Sequence, residues 1–325
     1  MSDLRIRPIR SIPVSNRRRV TFDVPITEVV QGYNLRFEVQ ISGSAMYSLL
    51  SDWYRQLVQN INFNASSSLR TTVGRLKTGS GISFINESTL LRGVSPYLWS
   101  DVDFNDYYTF PRQVIFDIPI DFESLHTQNR RMSLLNTREL SSAQFTIDMN
   151  DINELSANPA MPSTGMDMDG VIEVYAREFI DDQAKALQYS LSRRDLIEQA
   201  VSSSNQNMQI DLRRGFVTRG ILVHAFNRES MAIIPNDQII RSITLNVNRE
   251  IKHSMTWDAL KNINKNDYGI TCPAGTAYLD LIADGQLDGL VNTALFQDVS
   301  LTLDVNGGAT NVIQLYPSEL IMPGL

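Results

Sequence analysis

Six arginines stand in the first 19 residues: Arg5, Arg7, Arg10, Arg17, Arg18 and Arg19, against the single acid Asp3. The local balance is +5 (6 − 1), while the whole 325-residue chain carries −7, which leaves −12 (−7 − 5) for the remainder. A basic, proline-punctuated arm over residues 1–19 on an acidic body suits contact with something anionic, such as nucleic acid or lipid headgroups. Docking of the same arm on a neighbouring protein surface fits equally well.

Other chemistry-bearing groups do not converge. His126, His224 and His253 are far apart, none at a metal-ligand spacing, and the single cysteine, Cys272, reads as a small packing residue. His224 sits inside Ile221-Leu222-Val223-His224-Ala225-Phe226 and reads as a half-buried strand residue. There is no Gly-x-Ser-x-Gly elbow and no phosphate loop ending in Gly-Lys-Ser or Gly-Lys-Thr. Gly79-Ser80-Gly81 is a glycine-loop fragment, but Ile82-Ser83-Phe84 after it looks like strand, so a surface turn is expected. Met166-Asp167-Met168-Asp169-Gly170 resembles part of a calcium loop without the remaining ligands. Trp99, Tyr107 and Tyr108 lie among Asp101, Asp103 and Asp106, a combination suited to a carbohydrate platform or a subunit contact. The expectation is no catalytic residue, no metal site, no cofactor and no enzyme.

The elements that carry these residues are mainly strands. Leu35, Phe37, Val39 and Ile41 alternate with Arg36, Glu38 and Gln40, and Leu245, Val247, Arg249 and Ile251 repeat the pattern with Arg249 breaking it. Val114, Phe116, Ile118 and Ile120 form another strand, which Pro119 assigns to an edge or a bulge. Helical spacing appears over Met46–Ile61, over Thr256–Ile263 with Thr256 as cap, and over Asp181–Val201 as a linker. A loop is expected from Asn158 to Gly170. No stretch approaches the ~20 apolar residues of a membrane helix, and Met-Ser-Asp-Leu-Arg-Ile-Arg lacks the apolar run of a secretory signal. With 42% hydrophobic residues, a soluble globular chain made in a reducing compartment is expected.

The strands come twice. Pro25 to Phe37 matches Pro235 to Val247 without gaps (235 − 25 = 210). Ile115-Phe116-Asp117-Ile118 pairs with Tyr278-Leu279-Asp280-Leu281, Phe145 to Asn150 with Leu301 to Asn306, and Val171 to Tyr175 with Val312 to Tyr316. Asp148 and Asp304 fall at equivalent positions, which argues for a solvated strand face or a shared turn contact and against an active site. Two β domains in tandem, with longer connections in the first copy, fit these matches. Short strands in this number allow a sandwich, a barrel or a jelly roll. Asn306-Gly307-Gly308 by local rule closes a hairpin; in a jelly roll it would cross between sheets.

With its paired segments, such as Val29-Val30-Gln31-Gly32-Tyr33 beside Ile239-Ile240-Arg241-Ser242-Ile243, its basic arm and no catalytic set, the chain resembles a double jelly-roll major capsid protein. The similarity is to those of tailless, membrane-containing icosahedral bacteriophages, the Flavobacterium-infecting lipid-containing type among them. It implies an all-β fold of two tandem jelly rolls with a few short helices: arm 1–19, first roll 20–178, linker helix region 179–212, second roll 213–325. It further implies a homotrimer with a pseudo-hexagonal outline, tiling a shell with neighbouring capsomers and minor capsid proteins. Such a protein is synthesised in the host cytoplasm and resides in the virion. The six arginines would then meet lipid headgroups or genome on the inner face, and deleting residues 1–19 would leave a folded trimer. Residues 65–108 would form an outer tower or trimer contacts. The alternatives are a tandem β-sandwich carbohydrate-binding protein, another structural interaction protein, and a glycoside-processing enzyme, for which no carboxylate pair stands out.

Overall fold

The computed structural model describes residues 4–43, 50, 52–67, 74–101, 112–123, 133–155, 165–179, 191–229, 232–282, 289–296 and 298–321. Tyr107, Tyr108, Asp103, Asp106 and His126 lie outside these residues. The first half contains β1 (Leu4–Ser15), β2 (Arg19–Asp23), β3 (Val29–Gly43), helix α1 (Trp53–Gln56), β4 (Val58–Ser66), β5 (Arg75–Gly79), helix α2 (Gly81–Arg92), β6 (Leu98–Ser100), β7 (Arg112–Asp121), β8 (Leu135–Asn136), β9 (Ser142–Met149) and β10 (Met166–Phe179). The second contains β11 (Leu191–Arg194), β12 (Ile197–Ala200), β13 (Asn205–Asp211), β14 (Val217–Glu229), β15 (Ala232–Pro235), β16 (Ile240–Val247) and β17 (Glu250–Thr256). Helix α3 (Trp257–Tyr268), β18 (Thr276–Asp280), β19 (Val291–Asn292), β20 (Val299–Val305) and β21 (Asn311–Ile321) complete it.

Each half is a jelly roll. In the first, β1-β10-β3-β7 faces β2-β9-β4-β5; in the second, β12-β21-β14-β18 faces β13-β20-β16-β17. Numbered by order within each roll, both read 1-8-3-6 against 2-7-4-5, the double Greek key of a jelly roll. Alternate residues of the facing sheets fill each interior. Leu35, Phe37, Phe63, Phe116, Phe145 and Ile147 form the centre of one core, and Val223, Ile243, Leu245, Leu279, Leu301 and Leu315 that of the other. Asn306-Gly307-Gly308 joins β20 to β21 in the opposite sheet, so it does not close a hairpin; Asn306 N donates to Ile239 O and Gly308 N to Val201 O.

Three of the four sequence pairings join strands of equal rank: β7 with β18, β9 with β20, β10 with β21. The 210-residue shift does not, because it lays β3, third in its roll, on β16, fourth in the other. Val174 faces Leu35 while Leu315 faces Val223, so the counterpart of Leu35 is Val223, a shift of 188 (223 − 35). Strands that bury alternate residues in the same kind of core look alike in sequence whatever their rank.

Several local expectations change. The N-terminal residues are not a free arm: β1 pairs antiparallel with β10 from Leu4↔Phe179 to Ser15↔Asp169 and buries Ile12 and Val14 in the first core. The helix expected over Met46–Ile61 is one turn, α1, followed by strand β4, whose Ile61, Phe63 and Ala65 alternate into the core; residues 44–49 and 51 are outside those described. Of the linker helix, residues 181–190 are not described and 191–200 hold the strands β11 and β12. Residues 166–170 begin β10, with Asp167 and Asp169 exposed, and do not form a loop. Asn248 and Arg249, at φ 51° and 69°, form the two-residue turn between β16 and β17, the left-handed geometry that a hairpin of this length requires. Pro119 pairs across to Asn34 on one side and lies beyond the Leu98–Ser100 segment of β6 on the other, so its missing N–H faces no strand there.

Helix α2 replaces the strand expected after Ser80. Ser80 caps it, accepting from Ser83 N at 3.4 Å, and Gly93 ends it at φ 66°. Nearly every residue of α2 is buried, because it is wedged between the rolls and has no solvent face. Its equivalent, α3, sits at the surface with Trp257, Leu260, Asn264 and Tyr268 turned inward.

Candidate assembly surfaces and the seam between the rolls

The two rolls share one continuous sheet. Strand β11 pairs antiparallel with β21 of the second roll and parallel with β5 of the first, at Arg194↔Lys77. Behind it, Leu90 and Leu91 of α2 pack with Leu222, Tyr268, Tyr278 and Tyr316. The outer face of the second roll's sheet is thereby buried, which is why His224 is fully buried and not half-buried. Burial, with Arg194 adding, pushes its imidazole down to about 4, so it sits neutral in the seam. Cys272 is buried at the same seam with its thiol pushed up by burial to about 11, as befits a packing residue.

Polar groups fix the rolls in register. Arg194, 2% exposed, pairs with Glu87 at 2.7 Å and donates from Nη1 to Thr78 O at 2.8 Å. Its guanidinium lies 4.2 Å from the Phe84 ring centroid and 4.0 Å from that of Tyr316, one ring from each roll. Gly79 makes this possible, since a Cβ there would collide with Arg194 Nη1. Gln56 bonds Ile233 like a strand partner, Nε2 to O and N to Oε1, both at 2.8 Å. Asn86 Nδ2 donates to Thr276 Oγ1 at 3.1 Å. Sequence reasoning passed over Arg194 because Arg193-Arg194-Asp195 looks like a charged helix face.

Four of the six N-terminal arginines are held within the chain. Arg5 and Arg7 pair with Glu178 at 2.8 and 2.6 Å, Arg17 pairs with Asp151, and Arg19 with Asp148. Burial alone would raise the Glu178 carboxyl, but hydrogen bonds from Arg7 and Arg5 hold it below its ordinary value. Arg10 and Arg18 are exposed and carry no ion pair among the described residues. Asp148 and Asp304 match in role as well as rank, each paired with an arginine of an adjacent strand, Arg19 or Arg241.

Exposed apolar side chains gather on the outer face of the first roll. Ile6 is 66% exposed, Val94 61%, Tyr97 51% and Trp99 43%. Ile6, Val94 and Tyr97 line one groove of about 260 Å³ with Asp117, Tyr175 and Arg177. Residues 74–101, part of the segment expected to form an outer tower or trimer contacts, supply both the buried wall between the rolls and one side of this groove. Among the described residues no group of three or more His, Cys, Asp or Glu side chains is placed to hold a metal ion.

No family model matches the chain, and no curated protein matches it in sequence. Solved structures match it over nearly its whole length. Against the STIV MCP the identity is 13% over 99% of this chain and 97% of the other, with a TM-score of 0.78. Against a chain of the Sulfolobus turreted icosahedral virus structure it is 16% over 99% and 91%, at 0.71. Against the major capsid protein of bacteriophage PM2 it is 13% over 99% of both chains, at 0.64. These neighbours are double jelly-roll capsid proteins, and the fold of this chain is theirs: two jelly rolls in tandem.

Proposed function

We propose that this chain is a structural major capsid protein whose homotrimers form pseudo-hexagonal capsomers of an icosahedral shell around an internal membrane. The observation that carries the reading is the seam. Two rolls of the same topology are locked side by side by Arg194, α2 and a shared sheet, so three chains would supply six rolls in fixed pairs. The exposed Ile6, Val94 and Tyr97 of the groove, with Trp99 of β6, are assigned to contact with the next copy of the chain, since exposed apolar surface of this kind marks protein contact sites. Neighbouring capsomers and minor capsid proteins would complete the shell, with the protein made in the host cytoplasm and carried in the virion.

Of the six arginines, Arg10 and Arg18 suit contact with lipid headgroups or genome, because their charge is not spent on an internal carboxylate. Each is worth about 1 kcal/mol against an anionic surface, and a trimer multiplies the number. Electron-microscope class averages of the purified protein test the main proposal. Threefold particles with six lobes are expected, and Trp99→Glu should disperse them. Single two-lobed particles at all concentrations would favour a tandem binding protein that uses Trp99 for glycans.

A further inference from the structure

At the seam, Lys77, Arg194 and Arg219 converge on a cavity of about 30 Å³ that Glu87, Asp121 and Glu123 also reach. Their charges do not cancel. Asp121 is taken by Arg92 at 2.7 Å and by Arg177. Glu123 accepts from Gln31 Nε2 at 2.5 Å and lies 3.6 Å from Arg92. Glu87 is paired with Arg194 at 2.7 Å and accepts from Ser318 at 3.1 Å. Lys77, 6% exposed, donates to the Ser192 hydroxyl at 2.7 Å and lies 5.3 Å from the Phe122 ring centroid, with no ion pair among the described residues. Arg219, 9% exposed, carries no ion pair among the described residues; the Tyr278 hydroxyl beside it is itself without a hydrogen-bond partner, and Glu87 and Asp280 act on it only at longer range. Arg194 Nη2 is buried with no hydrogen-bond partner. Buried cations without a counter-charge are costly, and a cavity of this size holds one water-sized occupant.

We propose that the cavity binds a single small monovalent anion, of the chloride class, between Lys77, Arg219 and the free Nη2 of Arg194. The ion would supply the missing negative charge where both rolls contribute a cation, Lys77 from the first and Arg219 from the second. It would therefore join the rolls as well as neutralise the site. Burial, eased by Glu87 and deepened by Arg219 and Arg194, brings Lys77 down to about 7 without an anion. Below that pH the ammonium form predominates, and demand for the anion is greatest.

Bromide-soaked crystals of the full chain at pH 6 test this directly. An anomalous peak in the cavity beside Lys77 is expected; a cavity without bromide signal overturns the proposal. In solution at pH 6, the wild type should melt several degrees higher in sodium chloride than in sodium gluconate of equal ionic strength. Lys77→Met should remove that difference. Equal wild-type melting in both salts would also overturn it, and neither of these wild-type readings depends on the variant folding.

Discussion

Arg194 of β11 and Glu87 of α2 meet 2.7 Å apart, 2% and 13% exposed, where the first roll touches the second. The arginine is stacked between Phe84 and Tyr316, so one side chain holds an ion pair, a backbone carbonyl and a ring from each roll. Removing one partner of a buried pair leaves the other charge stranded, at a cost of about 3–5 kcal/mol. Arg194→Met should therefore lose about that much in urea unfolding. Combining it with Glu87→Gln should recover part of the loss, because the two changes are coupled. Strictly additive losses would contradict the pairing.

Gly79→Ala probes the same joint from the backbone side. The added methyl must push Arg194 Nη1 aside, an overpacking cost of about 1–3 kcal/mol. In the Arg194→Met background the penalty should shrink, and calorimetry of the four proteins measures it.

The pH dependence should show Glu319. Burial raises its carboxyl from 4.5 to about 7, with Asp195 adding to the rise and Arg193 and Arg213 opposing it. The folded state thus holds a proton that the unfolded state has already released between those values. Stability from this group is present below pH 4.5 and is lost as pH rises towards and through 7. Glu319→Gln, neutral throughout, should match the wild type at pH 4.5 and exceed it by about 1–3 kcal/mol at pH 8. Parallel stability curves across that range would count against the assignment.

Because β1 is a sheet strand, removing residues 1–15 should destabilise the first roll and not merely trim a tail. Ile12 and Val14 leave the core, at about 1.5–3 kcal/mol each, and β10 becomes an open edge. A deletion that melts like the full chain would restore the free-arm reading.

Thr256 accepts from Ala259 N at 3.3 Å at the start of α3. Thr256→Ala should cost about 1 kcal/mol, and Thr256→Ser almost nothing. Thermal melts of the two variants separate the cap from simple loss of bulk.

The strand-rich double fold was legible because Phe145, Ile147 and Met149, and again Leu301 and Leu303, alternate with polar residues into closed cores. Helix α3 was legible because its amphipathic stripe follows a capping threonine. Helix α2 was not, since a helix buried on all sides has no stripe; only Ser80 and Gly93, a cap at each end, marked it. The N-terminal strand was hidden by its arginines. Their partner Glu178 is 173 residues from Arg5 and 171 from Arg7, a distance that no local pattern spans. Arg194 was missed for the same reason, because its meaning lies in Phe84, Glu87 and Tyr316. The turn at Asn248-Arg249 lacks the glycine that usually announces it.

If this double roll is a capsomer subunit, its mass by light scattering after size exclusion will show it. A stable species at three times the chain mass of 36.7 kDa is expected, dispersed by Trp99→Glu. A single chain at 36.7 kDa across the accessible concentration range, unchanged by that substitution, would contradict it.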